Sequence, residues 1–163
     1  MELYFNDNFF SAGITDIMDE EGMKVGTVDL KSAFGSSLDI YDASGAKLYE
    51  GKFPFFSGKW RITGPDERLF GVLRVRMSFF SKRYEYDAGE RGVYEITSPA
   101  FSKEYEIADD SGQPSASFAR TSGWLQSGAF CLNNRSGRLD SYELVAVVMG
   151  VHAIQKAASN AAH

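Results

Sequence analysis

Four short stretches of the 163-residue chain share the pattern aliphatic-x-Asp/Asn-x-x-Gly. They are Ile17-Met18-Asp19-Glu20-Glu21-Gly22, Ile40-Tyr41-Asp42-Ala43-Ser44-Gly45, Ile107-Ala108-Asp109-Asp110-Ser111-Gly112 and the looser Leu132-Asn133-Asn134-Arg135-Ser136-Gly137. The pattern is that of a tight turn. Asp or Asn in the first position caps the turn through its side-chain oxygen, and Gly in the fourth tolerates positive φ. A type I turn followed by a left-handed Gly closes a β-hairpin through a bulge. The aliphatic residue is then the last inward side chain of the incoming strand. Positive φ is expected at Gly22, Gly45, Gly112 and Gly137.

The spacing extends the count. Stepping by about 22 residues from the second copy reaches Trp60-Arg61-Ile62-Thr63-Gly64-Pro65-Asp66-Glu67, and one more step reaches Tyr84-Glu85-Tyr86-Asp87-Ala88-Gly89-Glu90-Arg91-Gly92. Each is a strand running into a turn, so six hairpins and about twelve strands are expected. The segments between turns alternate with period 2. Trp60 and Ile62 oppose Arg61; Leu73, Val75 and Met77 oppose Arg74 and Arg76; Tyr105 and Ile107 oppose Glu106. Each strand therefore buries one face and wets the other.

The last segment breaks the pattern. Residues 144–154, Leu-Val-Ala-Val-Val-Met-Gly-Val-His-Ala-Ile, are apolar nearly all round and run into an Ala-rich tail. A helix over about 141–158 is expected, with Asp140 and Glu143 in the spacing of a capping box. A helix apolar on every side is buried or in a membrane. This one is too short for the ~20 apolar residues that a span needs, so the interior of the protein is the expected place. A mostly β fold follows: a closed antiparallel barrel of about twelve strands, six hairpins around a central hydrophobic C-terminal helix, in one domain over 1–163. Closure removes the edge strands, and the helix fills a lumen too wide for side chains alone.

At this point the chain resembles the LURP-one-related family, which shares the tubby C-terminal-like fold with phospholipid scramblases. The resemblance covers nearly the whole chain and reads as that of a bacterial member. It rests on the Ile17-x-Asp19-x-x-Gly22 and Ile40-x-Asp42-x-x-Gly45-x-x-Leu48 hairpins, on Phe56-Ser57-Gly58-Lys59-Trp60-Arg61-Ile62, on Tyr105-Glu106-Ile107-Ala108-Asp109-x-x-Gly112 and on the apolar C-terminal helix. The family implies the same barrel around a helix and supplies no catalytic residues. Tubby domains bind phosphoinositides and scramblases act on lipids with calcium. The turns do not fit a calcium loop of the EF-hand kind, because the residue five before each turn Gly is Ile17, Ile40, Ile107 or Leu132 rather than an acid.

Composition narrows the function classes. The net charge of −5 opposes a dedicated nucleic-acid binder. Cys131 is the single cysteine, which excludes an intrachain disulfide and a cysteine-based zinc site. His152, within the apolar helix, and Cys131 are expected to pack rather than react, since neither sits in a nucleophile motif. The acidic tips Asp19-Glu20-Glu21 and Asp109-Asp110 read as solvated turns. No catalytic residue, metal or cofactor is expected.

One segment is basic and aromatic: Arg74-Val75-Arg76-Met77-Ser78-Phe79-Phe80-Ser81-Lys82-Arg83-Tyr84. Arg74, Arg76, Lys82 and Arg83 form the candidate binding site for an anionic head group. The competing reading is a solvated outer face neutralised by Glu85 and Glu90. Phe53-Pro54-Phe55-Phe56 is a second aromatic patch, whose three rings cannot all point inward on a regular strand. The leading expectation is a non-enzymatic binding or scaffold protein. The alternative is a peripheral binder of anionic phospholipid or phosphoinositide head groups, and a weaker third is a hydrolase using His152. The N-terminus lacks the basic start and apolar core of a secretion signal, so the expected location is cytoplasmic, with peripheral membrane attachment under the lipid reading.

Overall fold

The computed structural model of the chain describes residues 1–11, 13–31, 37–54, 57–77, 82–98, 103–121 and 130–161. Twelve strands are present among them: β1 (Glu2–Phe5), β2 (Gly13–Met18), β3 (Lys24–Leu30), β4 (Ser37–Asp42), β5 (Lys47–Lys52), β6 (Trp60–Thr63), β7 (Leu69–Met77), β8 (Lys82–Asp87), β9 (Val93–Thr97), β10 (Tyr105–Ala108), β11 (Pro114–Arg120) and β12 (Phe130–Asn134). Consecutive strands pair antiparallel, and β1 closes the sheet onto β12 with Leu3 opposite Leu132. The result is a closed up-and-down barrel with one helix, α1 (Ser141–Ala161), as the sequence led us to expect.

The repeat is the hairpin device. Ile17, Ile40 and Ile107 are buried, and the register shifts directly after each of them. In each turn the Asp Oδ1 accepts backbone N–H bonds from the residues two and four further on. Gly22, Gly45 and Gly112 have φ of 81°, 86° and 83°. The β6–β7 turn makes the same backbone hydrogen bonds as these turns without a capping Asp: Gly64 stands in the Asp position and Glu67, at φ 64°, in the Gly position. A short 3-10 turn, Gly89–Arg91, joins β8 to β9.

The fourth copy departs from this. Gly137 is absent from the positive-φ residues, and Asn134-Arg135-Ser136-Gly137 is not a hairpin tip. It is the link from β12 into α1. Asn134 Oδ1 accepts the Ser136 N–H, and Asn134 Nδ2 donates to the Leu139 carbonyl and to Ser141 Oγ. The barrel therefore has five tight hairpins at this end rather than six, and the twelfth strand finds its partner in β1.

Residues 143–151 of α1 are buried without interruption, since strands surround the helix. Close approach is allowed by glycine. A Cβ at Gly150 would lie 2.5 Å from Trp60 Cδ1, and one at Gly51 of β5 would lie 2.5 Å from Trp60 Cζ2. The fully buried indole fills the space between helix and sheet. The capping box does not form. Glu143 is 0 % exposed and takes a bidentate pair from Arg91 (Nη1–Oε1 2.5 Å, Nη2–Oε2 2.9 Å) and a 2.7 Å hydrogen bond from the Tyr86 hydroxyl. At the far end Phe5, Phe9, Phe10, Phe118 and Phe130 form an aromatic cluster, with Phe118 stacked on Phe130 at 5.3 Å. Among the described residues no helix is long and apolar enough to cross a membrane.

Candidate anion-binding site on the outer wall

With the lumen filled, side chains available for binding are those on the outside of the barrel. The pleat puts every second residue of β6, β7 and β8 there. Register aligns them in rows: Arg61 beside Val72 beside Asp87, then Arg74 beside Glu85 beside Glu95, then Arg76 beside Arg83 beside Thr97.

Three of the four expected site residues thus share one wall, but they are already occupied. Arg74 Nη2 contacts Glu85 Oε1 at 2.6 Å, Arg76 Nε contacts Glu85 Oε2 at 2.5 Å, and Arg83 Nη1 lies 3.2 Å from Glu95 Oε1. Hydrogen bonds from Arg74, then Arg76, hold the Glu85 carboxyl below its usual range against the opposing effect of burial. Lys82 lies opposite Met77 in the register, and its side chain, like residues 78–81, is outside the described residues.

The cleft on this wall draws on other cations. It has a volume of about 560 Å³ and is lined by Lys59, Arg61 and Arg74, with Leu69 and Val72 as its apolar floor and Asp87 at one side. Lys59 and Arg61 are exposed and have no ion pair among the described residues. Arg74 Nε is buried and has no hydrogen-bond partner there. Asp87 Oδ1 accepts the Gly89 N–H and so caps the next turn. The neighbouring wall differs. Across β3 to β5, Lys31 bridges Asp29 and Asp39, Lys47 bridges Asp39 and Glu50, and Lys52 meets Glu50. There the signs alternate and cancel; around Lys59 and Arg61 they do not. Sequence reading missed Lys59 and Arg61 because their place beside Val72 and Arg74 follows from β6–β7 pairing, which no local pattern announces.

The remaining candidates are structural. Phe53 meets Trp60 edge-on at 5.1 Å, while Phe55 and Phe56 lie outside the described residues. Cys131 is half-buried, and burial pushes its thiol up, away from the reactive thiolate. His152 packs on Phe10 at a ring distance of 4.4 Å, and burial lowers its imidazole to a pKa of about 4. Asp19 and Asp109 use Oδ1 within their own turns.

The fold defines the class: a closed antiparallel barrel plugged by its own C-terminal helix. The model of the LURP-one-related family matches residues 1–149, and the chain belongs to that family. The X-ray structure of an Arabidopsis thaliana protein aligns with a TM-score of 0.61 at 12 % identity, covering 94 % of this chain and 91 % of that one. That likeness establishes the fold. The expected bacterial source finds no support in these matches. No curated protein sequence matches the chain.

Proposed function

We propose that the protein is a non-enzymatic binding module, and that the cleft at Lys59, Arg61 and Arg74 takes an anionic phospholipid or phosphoinositide head group at a membrane surface. The observation that carries this reading is an unneutralised pair of cations, Lys59 and Arg61, over an apolar floor of Leu69 and Val72. Cations hold head-group phosphate and the apolar floor meets the acyl boundary. Arg74 supplies a third cation, positioned by Glu85. The likeness to tubby domains and scramblases points the same way at the level of fold. A peripheral site on the cytoplasmic face fits a chain of net charge −5, because the attraction is local to one wall.

Co-sedimentation with anionic vesicles tests this. Binding at about 50 mM salt, released as ionic strength rises, is expected, since each exposed cation contributes about 1 kcal/mol and is screened. The Lys59→Glu/Arg61→Glu variant should lose binding and keep its melting temperature within a few degrees. Failure of the native protein to sediment at low salt removes the lipid reading and leaves a protein-binding or scaffold role. Binding that survives charge reversal places the site elsewhere.

A further inference from the structure

The copy of the repeat that forms no hairpin builds a cleft instead. Where the other turns close back on their own strands, residues 135–138 leave the sheet for the helix, and a gap of about 350 Å³ opens between this link and the β10–β11 turn. Arg135 and Arg138 stand on one side; Asp109, Asp110, Ser111 and Ser115 stand on the other.

The link is rigid. Besides the Asn134 bonds already described, Ser136 Oγ accepts the N–H groups of Arg138 and Leu139. The Arg135 N–H donates to the Ser115 carbonyl, tying the two walls together. The Arg138 carbonyl accepts from Arg91, the same guanidinium that holds Glu143. Both arginine side chains therefore hang from a fixed backbone into the cleft, exposed and without an ion pair among the described residues. The nearest carboxylate is committed. Asp109 Oδ1 takes the N–H groups of Ser111 and Gln113 and the Ser111 hydroxyl at 2.6 Å, and these bonds hold its carboxyl below the usual range. Ser115 Oγ donates a long, 3.5 Å hydrogen bond to the Gln113 carbonyl.

We propose that this cleft is a second anion site, separate from the outer wall, and that it takes a phosphate monoester. Two guanidiniums face it with two carboxylates: Asp109, bound within its own turn and within the field of Arg138, and Asp110 at the rim. Guanidinium forks match phosphate oxygens in pairs, and a monoester carries about −1.5 to −2 charge at pH 7. The volume lies at the small end of ligand pockets and admits a small ester rather than a polymer. Asp110 opposes a bare anion and favours a ligand whose organic part brings a donor group toward it.

Amide-resolved NMR titration with O-phospho-L-serine, at constant ionic strength, tests the site. Saturable shifts confined to residues 109–115 and 135–138 are expected. Arg135→Gln/Arg138→Gln should weaken the apparent affinity by at least about tenfold, the worth of one charge-assisted hydrogen bond, with an unchanged melting temperature. The Lys59→Glu/Arg61→Glu protein should titrate like the native one, which keeps this result independent of the outer wall. Shifts that rise linearly without saturation, or an unchanged affinity in the Gln double variant, overturn the site. Inorganic phosphate binding as tightly as phosphoserine overturns the ester assignment.

Discussion

His152 lies midway along α1, against Phe10, where burial, and then the positive fields of Lys103 and Lys156, hold its imidazole down to a pKa of about 4. In the unfolded chain the ring titrates near 6.5. Between those values the unfolded state binds the extra proton, so stability rises with pH. The contribution is complete above about pH 6.5 and is lost as pH falls toward 4. Its size is about 2 kcal/mol after allowance for partial exposure. Urea denaturation at pH 7 and pH 4.5 should show this loss in the native protein and a smaller one in His152→Gln; equal losses in both would show that the ring titrates normally. The packed role of this residue was legible in the sequence because its neighbours are apolar on every side. The role of Glu143 was not. Its spacing to Asp140 suggested a cap, whereas its partner, Arg91, lies 52 residues away in sequence, and no local pattern encodes such a contact.

At the scale of elements, the hairpins were the most legible part, since the Asp that caps and the Gly that turns act on backbone within five residues of themselves. The same letters at Asn134–Gly137 gave a different structure because the chain there has no following strand to pair with. Position decided what composition did not. Gly45 isolates the conformational contribution: φ is +86° and nothing lies within 4 Å of the site of a Cβ. Gly45→Ala should therefore destabilise by about 1 kcal/mol through backbone strain alone. Thermal unfolding will read this as a drop in melting temperature of a few degrees. No drop would mean that the turn relaxes to negative φ without penalty.

For the whole molecule, closure and plug were both anticipated from the strand count and the all-apolar helix, whereas the charge pattern of the walls was not, because it depends on which strands stand side by side. The Arg91–Glu143–Tyr86 cluster is the charged tie between plug and barrel among the described residues, beside neutral hydrogen bonds such as that from the Tyr142 hydroxyl to the Val25 carbonyl. Arg91→Leu would leave a fully buried Glu143 without its cation and should cost about 3 kcal/mol or more, while Arg91→Leu combined with Glu143→Leu should recover most of that loss. Chemical denaturation of the single and double variants measures the difference. If the double variant is no more stable than the single, the pair contributes through something other than charge compensation.

The seam between β1 and β12 sets an order of events during synthesis. Leu3 and Leu132 face each other across it, so the first strand made must wait for the last before the sheet has no open edge. The helix that fills the lumen is made later still. A growing chain thus carries a long meander with an uncovered apolar face and two free edges until β12 and α1 have left the ribosome. Long-range closure of this kind is slow and exposed to aggregation. Quality control in the cell would meet this barrel mainly as an unclosed sheet, and its yield would depend on how quickly β12 and α1 arrive to close and fill it.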